Sequence, residues 1–335
     1  MTADAPHRLH PRTRRAISWT IAVVALTAVT TSLLAIAFAN SPPERTVNLA
    51  VVPHPDDEFQ MWSLLEHTPD EYKVFVSLTR GEETAFCEPD LLESGLQADL
   101  GEVPPSPEPA GRWTPECEEA RMASLLGYLT QMSQTDPSIP GDFEALPTVT
   151  LPAGDTAICR TDDGAERCGA DVREVRVWKD REDRGAVLVF DLGDGDLTAE
   201  ESEWAMRSVI SQREELGIDA DLRIASVLGA FANDHHACFS YPHPDHLAVH
   251  EALRTRDLDA GPQLAATCFL DPAQSLTALV GRDSADAAFE LAPDGTRLGA
   301  HPRHYGWLSS STYPLGGFLQ SQLFMRFQSF WIGFN

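Results

Sequence analysis

Pro53-His54-Pro55-Asp56-Asp57-Glu58-Phe59 sets one imidazole beside a run of carboxylates. Far down the chain, Tyr241-Pro242-His243-Pro244-Asp245-His246 repeats the His-Pro-Asp order and adds a further imidazole. A neutral imidazole and a carboxylate form a mixed N/O ligand set suited to zinc, and a spare carboxylate beside it can move a proton. A catalytic zinc ion typically takes about three protein ligands and leaves one position open. His54 and Asp57 offer two of them, and His246 offers the third. Taken alone, the first motif reads equally as a proline-anchored turn whose aspartates cap the next helix. Two such clusters at two strand ends favour a shared cleft.

The elements that must carry these residues are legible as alternating patterns. Val47 to Val52 is apolar and β-rich, and Leu222 to Leu228 precedes the second motif in the same way. A strand that ends in such residues delivers them to the carboxyl edge of a sheet, where open α/β folds bind ligands. Between the two motifs the spacing predicts a helix over Phe59–Glu66 and a strand over Tyr72–Leu78. A proline-rich loop is expected over Phe86–Pro115, and a helix over Glu116–Leu129. An irregular insertion spans Gln131–Ala170, followed by strands over Val172–Trp178 and Ala186–Asp191 and a helix over Thr198–Leu216. Alternation of this kind implies a parallel sheet covered by helices on both faces. Beyond about Asp271 the pattern weakens, and an aromatic tail from Phe318 to Phe334 is expected to pack back on the body.

The ordered pair of motifs resembles the PIG-L/LmbE family of zinc-dependent N-acetyl-sugar deacetylases. Three further stretches are similar to the family's and fall in its order. They are Leu78-Thr79-Arg80-Gly81-Glu82, the segment Glu118 to Gly127, and Asp194-Gly195-Asp196-Leu197. The resemblance runs roughly from Val47 to Cys268. It implies a Rossmann-like three-layer α/β/α fold with a mostly parallel sheet, here with loop insertions and a C-terminal extension. It also implies Zn2+, or another divalent cation, held by His54, Asp57 and His246. Asp56 matches the family's general base, His243 its oxyanion-stabilising imidazolium, and Asp245 a residue placed to orient that ring. His250 lies four residues beyond His246, a spacing that can share a metal, but it matches no family role and reads as structural. His235 and His236 read as solvated loop residues, and Trp113 as a buried loop aromatic rather than a sugar platform. Where relatives often carry basic residues before the Glu-to-Leu-Gly helix, this chain has Thr114-Pro115-Glu116-Cys117. The implied activity is removal of an acetyl group from an N-acetylated aminosugar or glycoconjugate. Two other readings stay open, a metal-dependent amidase acting on a non-sugar amide and a non-catalytic carbohydrate-binding module.

Composition bounds the partners. A formal net charge of −26 over 335 residues argues against nucleic acid or an anionic membrane surface, and 43% hydrophobic residues suit a globular core. Arg8, Arg12, Arg14 and Arg15 precede an uncharged stretch, Ala16–Ala39. That stretch is longer than the about 7–15 residues of a secretory h-region and long enough for the about 20 a membrane span needs. Its basic flank orients the rest of the chain outside the cytoplasm. Ala37-Phe38-Ala39 before Asn40-Ser41 also resembles a signal-peptidase site, so the segment is an anchor or a cleaved signal. Both readings export the chain. The organisation expected is a basic terminus 1–15, the apolar segment 16–39, a linker 40–46, a deacetylase-like domain 47–270 and an extension 271–335. Six cysteines in an exported chain point to disulfides. Cys159 and Cys168 sit symmetrically about Asp163-Gly164, a favoured hairpin turn, and the simplest pairing of the others is Cys87–Cys117 and Cys238–Cys268.

Overall fold

The computed structural model describes residues 45–333, apart from 100, 102, 105–107, 154–158, 163–164, 169–171, 234–240, 268–274, 292–296, 300, 302–304, 306–323 and 325. Its strands are β1 Thr46–Val52, β2 Glu71–Ser77, β3 Phe143–Ala145, β4 Val149–Pro152, β5 Cys159–Asp162, β6 Ala165–Cys168 and β7 Val172–Asp180. They continue with β8 Gly185–Phe190, β9 Arg223–Gly229, β10 Gln263–Thr267, β11 Ser275–Leu279, β12 Phe289–Leu291, β13 Arg297–Gly299 and β14 Phe327–Gly333. The main sheet runs β11-β14-β10-β9-β1-β2-β8-β7-β3, with β4 also paired to β7. From β10 to β8 every neighbour is parallel, and both flanks are antiparallel. The protein is therefore mixed α/β with a mostly parallel centre.

Why the centre is parallel can be read along β1. Val47, Leu49 and Val51 belong to one apolar core and Ala50 and Val52 to another, so successive side chains feed both faces of the sheet. A strand buried on both faces reads as a continuous apolar run, as this one does. On the first face lie Ala205, Met206 and Val209 of helix Ala199–Ser211, and Val249, Ala252 and Leu253 of helix Pro244–Thr255. On the second lie Met122, Leu125 and Leu129 of helix Pro115–Thr135. Among the parallel strands the chain moves outward from β1 through β2 to β8, then returns to β9 on the other side of β1 and on to β10. The order in which strands are added thus reverses between β1 and β9, where open α/β sheets leave a crevice.

Several local expectations are corrected. The helix expected over Phe59–Glu66 is a 3-10 helix over Glu58–Leu64, broken at Met61. Phe59, Met61 and Trp62 are all buried, so no solvent face existed for an amphipathic helix to keep. The proline-rich loop contains helix Pro89–Asp99, because its prolines cluster after residue 103 while Leu92 and Leu96 share one buried face. The insertion supplies β3 and β4, both antiparallel to β7. β7 and β8 are joined by a turn with Asp183 at φ 57°, too short for a parallel crossover. The long helix ends at Ser211, not Leu216.

The described part of the aromatic tail, β14, inserts between β10 and β11. Cys87 and Cys117 are disulfide-bonded. Cys159 and Cys168 face each other in the β5–β6 register; Cys238, Cys268, His235 and His236 lie outside the described residues. So does the apolar segment 16–39, and among the described residues no helix is long and apolar enough to cross a membrane.

Candidate active site

The first motif leaves the carboxyl end of β1, and the second caps the helix that follows β9, its neighbour in the sheet. Two backbone turns aim the first motif, since the amides of Asp56 and Asp57 both donate to the His54 carbonyl, at 2.9 and 3.4 Å. The loop after β2 is tied alongside through Thr79, whose hydroxyl donates to the Pro53 carbonyl at 2.9 Å. In the second motif His243 is the N-cap of helix Pro244–Thr255, which starts with proline at its first position, a pairing suited to a helix start. His246 then falls in the first turn, pointing back toward β1. Both strands thus deliver their motif to the crevice.

Three ring and carboxylate atoms converge there. Asp57 Oδ2 lies 3.1 Å from His54 Nδ1 and 3.2 Å from His246 Nε2. Its other oxygen is held by the Gln60 amide at 2.9 Å, which leaves Oδ2 as the inward-facing atom. The far nitrogens of both rings are engaged by acceptors. His246 Nδ1 donates to the Phe231 carbonyl at 2.5 Å, and His54 Nε2 lies 2.9 Å from Asp245 Oδ2 and 3.2 Å from Asp194 Oδ1. With its proton on Nδ1, His246 presents a bare lone pair at Nε2. That atom is buried, lies 3.2 Å from Asp57 Oδ2 and lacks a hydrogen-bond partner. A cation between them resolves this, and outer partners on the opposite ring nitrogens are the usual support of metal-binding imidazoles. His54, Asp57 and His246 therefore fit a metal ion, and their donor set suits zinc among several divalent ions.

Charge is dense around this point. Burial opposes protonation of His54, but Asp194, Asp245 and Asp57 outweigh it and hold its pKa well above the usual imidazole value. His243 is pushed down to about 4 by burial and then by His54 and His246. The neutral ring accepts the Asp245 backbone N–H at Nδ1, 3.4 Å away, which leaves Nε2–H as its donor.

A cavity of about 180 Å³ adjoins the cluster, lined by His54, Asp56, Glu83, Arg121, Tyr241 and His243 among others. Trp113 is outside that lining, its backbone N–H bonded to Glu82 at 3.3 Å. The Asp56 carboxylate is gripped by Arg121, with Nη1 and Nη2 each 3.1 Å from one oxygen. His250 Nε2 meets the Ala266 carbonyl at 2.9 Å, away from Asp57. The Asp245 carboxylate is held from several sides. Its oxygens accept from the Gly195 and Leu197 amides, at 2.8 and 2.9 Å, and meet His54.

Two residues of the site escaped the sequence reading. Arg121 carried a signal, because it is a cation within the buried stripe Cys117, Arg121, Met122, Leu125, Tyr128, Leu129 of its helix. Asp194 was part of a recognised loop, but nothing local showed that its carboxylate reaches His54. No family model, curated protein or solved structure matches the chain. Fold and site together define an α/β protein with a candidate His/Asp metal centre at the carboxyl edge of its sheet.

Proposed function

We propose that the protein is a metal-dependent hydrolase of acylated amines, with zinc as the metal and an N-acetylated aminosugar or glycoconjugate outside the cytoplasm as substrate. The observation that carries this reading is the convergence of His54 Nδ1, Asp57 Oδ2 and His246 Nε2 beside a cavity that Asp56 and His243 also line. A pure binding module needs no carboxylate at that point.

The metal, when bound, lowers the pKa of a water molecule to roughly 7 and polarises the acyl oxygen. Asp56 accepts the proton of the attacking water. Arg121 meets each of its two oxygens, which fixes the carboxylate in place beside the cavity. His243 stabilises the oxyanion of the tetrahedral intermediate, the role that the family resemblance implies for it. As the C–N bond breaks, Asp56 passes its proton to the departing amine, and acetate is left with the water's oxygen. Asp194 and Asp245 act on His54, not on substrate.

The motif resemblance to the PIG-L/LmbE family supports the sugar substrate. The order of the parallel strands, third-second-first-fourth-fifth in sequence, is that of Rossmann-like folds and supports that assignment. The basic-apolar amino terminus and the Cys87–Cys117 bridge support export to an oxidising compartment. The test is acetate release from N-acetylated glycans and N-acetylated peptides, with and without a chelator. Chelator-sensitive release from glycans is expected. Release that ignores the chelator, or occurs from peptides alone, overturns the reading.

A further inference from the structure

Behind the cavity, three stretches remote in sequence interlock. The loop after β1 contributes Asp56 and Glu58. Helix Pro115–Thr135 contributes Arg121 and Ser124, three residues apart and so on one face. The stretch beyond β13 contributes His301 and Tyr305. Arg121 binds both oxygens of Asp56 and also donates from Nη1 to the Tyr305 carbonyl. His301 Nε2 lies 2.9 Å from Glu58 Oε1, and its Nδ1 meets the Ser124 hydroxyl. The Tyr128 ring stacks on the same imidazole, 4.9 Å between centroids and 22° between planes.

The order Ser124–His301–Glu58 has the form of a nucleophile, base and orienting acid. All three are sealed from solvent, each 0% exposed, so no substrate reaches that serine. Nor does the proposed hydrolysis use His301, Glu58 or Tyr305. What they share is a hold on the groups that flank the cavity. A buried polar group without a partner is costly, so Glu58 and His301 keep each other in place. With His301 docked, the Tyr305 carbonyl, four residues on, meets the guanidinium that grips Asp56.

We propose that His301, held by Glu58 and Ser124, is a positioning residue for the nearby Tyr305 carbonyl, which steadies the Arg121 guanidinium that grips the Asp56 carboxylate. The active site then draws on His301 and Tyr305 and is not contained between β1 and β10. This inference rests on the reading of Asp56 as the base. A displacement of about 1 Å at such a group costs about a hundredfold in rate, which sets the effect to look for.

The test uses the full chain, acetate release from an N-acetylated aminosugar, metal content and thermal melting. His301→Ala should keep its metal and its KM within about threefold while kcat falls about 10- to 100-fold. His301→Gln, which keeps a donor toward Glu58, should recover most of that loss. Ser124→Ala removes one contact without opening a large cavity, and stands in if His301→Ala does not fold. It should lower kcat severalfold at unchanged KM. Wild-type kcat in His301→Ala, or in Ser124→Ala where only that variant folds, overturns the proposal. So does loss of metal in step with activity, which marks a purely structural role. Asp56→Asn run in parallel separates the two ideas, because wild-type turnover there removes the base itself whatever His301 does.

Discussion

His246 Nε2 and Asp57 Oδ2 face each other at 3.2 Å, and the buried Nε2 has no hydrogen-bond partner. A cation between the two atoms would give both a partner. His54→Ala and His246→Ala should each abolish stoichiometric metal while secondary structure persists. Elemental analysis of the purified variants decides it, and full metal retention in both would falsify the site.

Asp194 and Asp245 grip the outer nitrogen of His54. Replacing either by asparagine should weaken metal affinity by about 10- to 100-fold, the usual effect of losing an outer partner. Excess metal should restore turnover in Asp194→Asn. Competition with a chelator of known affinity measures the change, and unchanged affinity in both variants would count against their role.

Asp56→Asn keeps the shape of the side chain and removes its basicity. It should bind metal normally and lose about two to four orders of magnitude in rate. Asp57→Asn should fail earlier, at metal binding. The contrast needs metal content and kcat measured on the same preparations, and the assignment falls if Asp56→Asn turns over as the wild type does.

Gly81 sits at φ +69°, and a Cβ there would stand 2.6 Å from Arg121 Nη2 and 2.7 Å from Pro55 Cδ. Gly81→Ala meets both backbone strain and a clash with the group holding Asp56. A stability loss of about 1–3 kcal/mol is expected, with a larger fall in kcat than in metal content. An unchanged melting temperature would show that the loop yields freely.

Asp180 clamps the turn between β7 and β8, accepting from the Gly141 and Asp142 amides at 3.0 and 2.9 Å and from Arg184 Nε at 2.8 Å. Burial pushes its pKa up, but Arg184 and those amides prevail and hold it at about 2 against 3.8. A carboxyl depressed in the folded state adds stability that is present above pH 3.8 and lost as pH falls toward 2. Asp180→Asn should therefore cost about 2 kcal/mol at neutral pH and progressively less below pH 3.8. Urea melts at both ends of that window test it, and a pH-independent difference would be the wrong result.

What the sequence by itself determined is local and periodic. The apolar runs of β1, β2, β8 and β9, the helices after Thr114 and Thr198, and the two His-Pro-Asp motifs all follow from residues within a few positions of one another. The Thr198–Glu201 capping box shows the principle, since both halves of that contact are three residues apart. What only the tertiary structure decided is which distant groups share an atom. Asp245 turned to His54 and the Gly195–Leu197 loop because their donors reach its carboxylate when the loops after β8 and β9 close over β1. Arg121 reached Asp56 across 65 positions, and His301 reached Glu58 across 243. Strand direction in the flanks was decided the same way, by turn length and by which edge was free to pair. Such contacts depend on chain closure, and closure is set by the whole core at once. No window of sequence contains it.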